Sequence, residues 1–288
     1  MIPNQLHEAL AAPRVREFVF SNEDFDALRN LVKELTGINL TEQKRELVYG
    51  RLARRLRALH LRTFAEYRDL LANDGGKEIG EFCNAITTNL TSFFRESHHF
   101  DYLREHVLQA RAANRASSRR LRIWSAGCST GEEPYSLAMT ILETLPELRT
   151  WDVKILATDL DSDVLVKAQR GIYAADRVRA LGPQRLSRFF EERRGREGLC
   201  YEVVPELTSL ITFRQLNLMH SLPMKGPLDV IFCRNVVIYF DKDTQRELFA
   251  RVSRLQRPGD MLFLGHSESL FKVSESYTPI GKTIYRRG

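Results

Sequence analysis

Cysteine is sparse in this 288-residue chain: Cys83, Cys128, Cys200 and Cys233 make no Cys-x-x-Cys pair and no closely spaced framework. The pattern reads as reduced thiols and argues against a disulfide scaffold or a zinc ribbon, so no metal site is expected. Long apolar runs are missing too. No segment approaches the roughly eighteen apolar residues of a membrane span, and the start, Met1-Ile-Pro-Asn-Gln-Leu-His-Glu8, lacks the basic-then-apolar order of a secretion signal. A cytoplasmic protein without membrane insertion is the expectation. There is no Walker A loop and no Gly-x-Gly-x-x-Gly fingerprint, which weighs against cofactors held by their phosphates. No internal repeat and no disordered tract stands out.

What is present is an ordinary globular composition, 43% hydrophobic, with charge placed unevenly. The net charge is +6, and residues 44–62 hold Lys44, Arg45, Arg51, Arg54, Arg55, Arg57 and Arg62 against the single acid Glu46. Such a run implies an acidic partner: a nucleic acid, an anionic membrane or an acidic protein surface.

Periodicity divides the chain. Residues 18–111 read as an all-helical domain. Ser21-Asn-Glu-Asp24 has capping-box spacing, Phe25, Leu28, Val32 and Leu35 keep helical period, and Gly37 supplies a left-handed stop. A second helix starts near Thr41, with Val48, Leu52, Leu56 and Leu59 on its buried face. Lys44, Arg51, Arg55 and Arg62 share an adjacent arc, and Arg54 lies farther round. Thr63-Phe-Ala-Glu66 opens a third helix that ends before the turn Asn73-Asp-Gly-Gly76. Residues 77–87 make a fourth, and a further helix runs from about Phe100 to Arg111. The polar run 112–120 is the expected linker.

From residue 121 to 288 strands alternate with helices, the pattern of an α/β fold with a doubly wound, mostly parallel sheet covered on both faces. Strands are expected at 121–126, 153–158, 210–216, 228–233 and 261–265, helices at 132–145, 162–170 and 243–255, and a closing hairpin at 277–286. Residues 171–208 interrupt this order. There a helix opened by Pro183 and the alternating stretch Leu199-Cys-Tyr-Glu-Val-Val204, after Arg193-Arg-Gly-Arg-Glu-Gly198, predict a small antiparallel β subdomain.

The first strand runs into Gly127-Cys-Ser-Thr-Gly131 and then a helix. That is a tight turn at the carboxyl edge of the sheet, where doubly wound folds bind ligands, although an ordinary structural turn has the same spacing. Asp159 ends the next strand, where a carboxylate can accept hydrogen bonds from both ribose hydroxyls of a nucleoside. Asp161 reads as the cap of the helix at Ser162. With phosphate-bearing cofactors disfavoured, S-adenosylmethionine, an adenosine joined to an amino acid, fits this edge.

Three blocks stand in order at fitting separations: Ala85-Ile-Thr-Thr-Asn-Leu-Thr-Ser-Phe-Phe-Arg-Glu-Ser-His-His-Phe100, Trp124-Ser-Ala-Gly-Cys-Ser-Thr-Gly-Glu-Glu-Pro-Tyr-Ser136 and Ile231-Phe-Cys-Arg-Asn-Val-Val-Ile-Tyr-Phe240. Together they resemble the S-adenosylmethionine-dependent methyltransferases of bacterial chemotaxis receptors, the CheR family, from about Phe18 onward. The resemblance implies a class I methyltransferase-like fold. It implies S-adenosylmethionine as cofactor, S-adenosylhomocysteine as product, and methylation of glutamates on the cytoplasmic helices of chemoreceptors during adaptation. It also implies that Asn89, Thr91, Arg95, Glu133, Asp159, Asn217, Leu218, Arg234 and Asn235 contact the cofactor, with Glu132 the neighbour most easily confused with Glu133; Gly127, in the turn after the first strand, lets the backbone approach it. Arg95 and Tyr239 are implied nearest the transferred methyl. On this reading Lys44, Arg51, Arg54 and Arg55 form the receptor-docking surface. Some family members also capture a receptor C-terminal peptide as an added strand on the inserted subdomain; the sequence leaves that question open here. Nothing in it requires more than a monomer.

Methyl transfer from a sulfonium to a carboxylate destroys charge, so a site that excludes water helps. Glutamate is already ionised at pH 7, which leaves alignment rather than proton removal as the enzyme's task. Arg95 is expected to orient cofactor or acceptor. Tyr239 either aims its hydroxyl at the incoming carboxylate or plugs the site as an aromatic. Phe93, Phe94 and Phe100 are expected in the interdomain core, and His98, His99 and His266 as caps or polar contacts rather than bases. Two other functions fit part of the sequence. One is an RNA methyltransferase, motivated by a pI near 9.2 and the arginine stripe; it lacks the Asn/Asp-Pro-Pro-Tyr/Phe signature of enzymes that methylate exocyclic amines, so no nucleic acid partner is expected. The other is a non-catalytic module that binds S-adenosylmethionine as a signal.

Overall fold

The computed structural model describes residues 16–73, 76–114, 118–145, 150–195 and 198–288. The first residues of the chain, parts of the 73–76 turn and of the 112–120 run, and the tip of the 193–198 loop lie outside the described residues.

Four helices, α1 (Asn22–Thr36), α2 (Arg45–Ala58), α3 (Phe64–Asn73) and α4 (Lys77–Ile86), enclose one apolar cluster that includes Phe25, Leu28, Leu52, Leu56, Phe64 and Phe82. The capping box is real: the Ser21 hydroxyl accepts the Asp24 N–H at 3.0 Å, and the Asp24 carboxylate accepts the Ser21 N–H at 3.1 Å. Gly37 ends α1 at φ 74, and a Cβ there would sit 2.2 Å from Met219 Sδ. Left-handed backbone and close approach together demand glycine. A single 3₁₀ turn, Glu42–Lys44, precedes α2, so the α-helix proper begins later than Thr41.

Next come α5 (His98–Tyr102), a π-helical stretch Leu103–Leu108 and α6 (Gln109–Ala113). The buried side chains of this run, Phe100, Leu103, Val107 and Leu108, pack in the core beneath the sheet and not in the helical cluster. The break between the two cores therefore falls before this run rather than at 112–120. Periodicity shows that a helix has an apolar face without showing which core covers it.

The rest of the chain runs β1 (Arg120–Ala126), α7 (Glu132–Thr144), β2 (Asp152–Asp159), α8 (Ser162–Arg170), β3 (Ile172–Ala174), α9 (Ala175–Val178), α10 (Gly182–Phe189), β4 (Phe190–Gly195), β5 (Gly198–Val203), α11 (Pro205–Thr208), β6 (Ile211–Gln215), β7 (Val230–Cys233), α12 (Lys242–Ser253), β8 (Met261–Leu264), β9 (Tyr277–Gly281) and β10 (Ile284–Arg287). Among the described residues, seven strands form one sheet in the order β6-β2-β1-β7-β8-β10-β9, parallel except at β10, which runs antiparallel to both neighbours. Along β7, Val230 and Phe232 enter one core and Ile231 and Cys233 the other, as the two-residue strand period requires of a sheet covered on both faces. The insertion folds as the antiparallel sheet β3-β5-β4.

Among the described residues, seams at more than one place join the helical domain to the carboxyl edge of the large sheet. At one, Ile38 and Phe240 form an antiparallel bridge, Asn39 N–H donates to the Tyr239 carbonyl at 2.7 Å, and Lys33 pairs with Asp241 at 2.8 Å. At another, the Asn84 side chain bonds both the hydroxyl and the N–H of Ser162, at 2.9 and 3.2 Å. Among the described residues no helix is long and apolar enough to cross a membrane.

Candidate active site

The strand order reverses between β1 and β7, which opens a crevice beyond their carboxyl ends. The helical domain walls the far side. Every cofactor residue implied by the resemblance lines this cleft, as do Arg95 and Tyr239, and Lys44 and Leu47 reach its rim from α2 and the turn before it.

The turn after β1 is built for close approach. Gly127 has φ 77, and a Cβ on it would lie 2.3 Å from Val236 Cγ2. Ser129 N–H donates to Asp159 Oδ2 at 2.8 Å, while Asp159 Oδ1 accepts the Asp161 N–H at 3.0 Å. One N–H on each oxygen leaves lone pairs for a further donor. Burial pushes the Asp159 pKa up, against the pull of these N–H groups. Asp161 is the cap of α8: its Oδ1 accepts from Asp163 and Val164 N–H at 2.9 and 3.2 Å. Its Oδ2 accepts from the Thr87 hydroxyl and the Asn89 amide, both at 2.7 Å. Asn89 thus binds the segment between the domains to the sheet.

At the cleft wall Arg234 is 5% exposed and joins two acids. Its Nη1 donates to Glu133 Oε2 at 3.1 Å, and its Nη2 lies 3.3 Å from Glu96 Oε2 and donates to the Arg95 carbonyl. Ser125 donates to the other Glu133 oxygen at 2.7 Å. Arg234 Nε is buried without a partner. Glu132, by contrast, pairs with Arg177 and accepts from Thr130, so Glu133 is the acid that faces the cleft. An orphaned buried donor, a buried acid and a strand-end carboxylate make a donor set that fits an amino acid joined to a nucleoside.

Arg95 sits between two non-glycine residues in the left-handed region, Phe94 at φ 52 and Glu96 at φ 56. Such backbone persists only where its surroundings over-determine it. Its Nη1 donates to the Leu90 carbonyl at 2.8 Å, and among the described residues its guanidinium has no ion pair. Phe93 and Phe100, expected between the domains, pack instead in the core under the sheet, with Phe94 against them; Phe94 N–H donates to the Ser136 hydroxyl on α7 at 2.9 Å, which ties the segment to that core. Asn217 has its side chain engaged at both ends, donating to the Leu35 carbonyl at 2.6 Å and accepting from Met219 N–H at 2.9 Å. One amide N–H and one carbonyl lone pair of that side chain stay open to a ligand.

The three histidines are polar contacts. His99 Nε2 lies 3.0 Å from the Lys282 carbonyl, His98 Nε2 3.3 Å from the same oxygen, and His266 Nδ1 2.9 Å from Glu96 Oε1. Burial, reinforced by the Arg234 charge, pushes His99 down to about 4. Cys233 is buried and its thiol pushed well up by burial, which leaves it without nucleophilic character near neutral pH.

The basic arc divides in two. Arg55 makes a two-point ion pair with buried Glu78, and Arg51 donates to the carbonyls of Ile86 and Thr87 and to the Thr88 hydroxyl. These two are internal struts and not a free docking face, because α4 packs against the side of α2 they occupy. Lys44 and Arg54 are exposed, and among the described residues neither has an ion pair. One residue escaped the sequence reading: Glu268, whose buried carboxylate receives the backbone of the segment leading to Tyr239. Its only local signal is an acid shortly after a strand end.

A family model described as "CheR methyltransferase, SAM binding domain" matches residues 89–286, and one described as "CheR methyltransferase, all-alpha domain" matches residues 23–87. The chain is 46% identical over 271 residues to Chemotaxis protein methyltransferase 2 of Pseudomonas aeruginosa, covering 94% of this chain and 95% of that one. It is 42% identical over 281 residues to the Chemotaxis protein methyltransferase of Escherichia coli, covering 96% and 95% respectively.

Proposed function

The chain belongs to the CheR methyltransferase family, and on that premise we propose that it methylates glutamate side chains of bacterial chemoreceptors, giving glutamyl methyl esters. The observation that carries this reading is the convergence in one cleft of a nucleoside-and-amino-acid donor set, Asp159, Glu133 and Arg234, with Arg95 and Tyr239 beside it.

S-adenosylmethionine supplies an activated methyl group on a sulfonium. In this reading the Asp159 carboxylate accepts the ribose hydroxyls, Arg234 Nε–H meets the amino-acid carboxylate, and Glu133 accepts from the ammonium. Leu218 gives the base an apolar contact, Gly127 lets the backbone come close, and Asn89, Thr91, Asn217 and Asn235 complete the walls. The acceptor glutamate arrives ionised, so no base is required. Tyr239 directs the incoming carboxylate. Arg95 orients rather than accelerates, because a cation held firmly on the nucleophile would stabilise the ground state more than the charge-depleted transition state. Lysine lacks the planar fork that orientation uses, so Arg95→Lys should lose both turnover and affinity.

Lys44 and Arg54 offer exposed positive charge to acidic receptor helices on the side of the cleft mouth. The β4 edge, paired only with β5 among the described residues, offers a place where a receptor C-terminal peptide adds as a strand. A nucleic acid acceptor is disfavoured, since Arg51 and Arg55, which motivated it, are engaged internally.

The test is to incubate the protein with methyl-labelled S-adenosylmethionine and chemoreceptor cytoplasmic fragments. Label on receptor that mild alkali releases establishes the ester; label in added RNA and none on receptor overturns the reading.

A further inference from the structure

Glu268, 5% exposed, lies just past β8 and is not among the residues that line the cleft. Its Oε1 accepts the N–H groups of Val236, Val237 and Ile238 at 2.9, 2.8 and 3.2 Å. Its Oε2 accepts those of Asn235 and Gly265 at 2.9 and 2.6 Å. Asn235 through Ile238 is the whole span between Arg234, on the cofactor side of the cleft, and Tyr239, on the acceptor side. Four consecutive N–H groups aimed at one point have no strand or helix partner of their own, and that of buried Val237 would be costly left unpaired.

The same span is held from its other face. Gln245 Nε2 donates to the carbonyls of Val237 and Phe240 at 2.8 and 3.0 Å. Asn235 adopts the left-handed conformation at φ 58. A Cβ on Gly265 would lie 2.4 Å from Asn235 Nδ2, so only glycine lets the end of β8 lie this close. Arg234 itself does not need this clamp, because Glu133, Glu96 and the Arg95 carbonyl already fix it. Asn235 and Val236 of the clamped span also line the cleft, and Tyr239, at its far end, is the acceptor-side residue placed through it.

We propose that Glu268 is a positioning residue for methyl transfer, holding Asn235–Tyr239 rigid so that the Tyr239 side chain stays at the acceptor end of the cleft. The inference rests on the role given above to Tyr239. Glu268→Gln conserves shape but turns an amide against some of the N–H groups the carboxylate receives.

The experiment measures product affinity, kcat and acceptor KM on receptor fragments for wild type, Glu268→Gln, Tyr239→Phe and the double variant. The expected result is a kcat lower by about tenfold or more in Glu268→Gln, with a smaller loss of S-adenosylhomocysteine affinity through Asn235, whose N–H the same carboxylate accepts. Tyr239→Phe should then cost markedly less in the Glu268→Gln background than in wild type, the non-additivity of residues that act as one unit. Gln245→Leu removes the bonds to the Val237 and Phe240 carbonyls without touching Asn235 and should give the same kcat-selective loss if Glu268→Gln folds poorly. Losses that multiply, or a kcat that both variants retain, overturn the positioning role alone. A wild type that binds the product yet methylates no receptor overturns the role of Tyr239, and this inference with it.

Discussion

Arg55 and Glu78 meet as a two-point ion pair inside the helical domain, Nε to Oε1 at 2.8 Å and Nη2 to Oε2 at 2.7 Å. Tyr67 donates its hydroxyl to the same carboxylate at 2.9 Å, and the Glu78 side chain is 7% exposed. Removing one partner would leave a buried, uncompensated charge. Arg55→Ala is therefore expected to lower stability by about 3 kcal/mol, visible as a lower urea midpoint, and to leave the cofactor affinity of the folded fraction intact. An unchanged midpoint would contradict the strut.

Arg54 lies on the same helix, but exposed and without an ion pair among the described residues. Arg54→Glu should raise the acceptor KM several-fold at low ionic strength and less at high salt, because a charge at the rim of an interface acts mainly through screened attraction. Stability and S-adenosylhomocysteine affinity should not move. A KM that is indifferent to both the substitution and the salt would remove Arg54 from the docking surface.

Glu133 is the buried partner of Arg234 on the cleft side, and burial pushes its pKa up. Glu133→Gln keeps its shape and removes the charge that meets an ammonium. Calorimetry should show S-adenosylhomocysteine bound at least about tenfold more weakly, about 1.4 kcal/mol. Affinity within twofold of wild type would move the ammonium elsewhere.

Glu96 is opposed by burial, yet hydrogen bonding from His266 and the charge of Arg234 outweigh it and hold its pKa at about 2, below the ordinary 4.5. In the window between those values the unfolded chain takes up the proton first. The stability that ionised Glu96 contributes is thus present above about pH 4.5 and is lost as pH falls toward 2. The gap in urea stability between wild type and Glu96→Gln should be widest near neutral pH and narrow through that window. A gap that stays constant down to pH 2 would show that the folded carboxyl is not depressed.

Much of the architecture was legible because its causes are local. The Ser21 box, the Gly37 stop and the Asp161 cap are contacts within a few residues, so spacing alone reports them. The β/α alternation reports which segments are buried on both faces. The arginine arc was legible only in part: helical spacing puts Arg51, Arg54 and Arg55 near one another, but nothing in α2 says that Glu78, on α4, stands opposite Arg55 and not Arg54. The Phe100–Leu108 run misled for the same reason, since an apolar face does not name its cover.

By itself, then, the sequence determined the elements, their caps and the residue types gathered at the strand ends, because these follow from backbone sterics and hydrogen bonds between near neighbours. Only the tertiary structure decided which side chains remain available for chemistry. Asn217 is oriented by the carbonyl of Leu35, 182 residues away, Arg55 is taken up by Glu78, and the span before Tyr239 by Glu268. A buried polar group must find a partner wherever the fold brings one, and that partner is set by packing rather than by position in the chain.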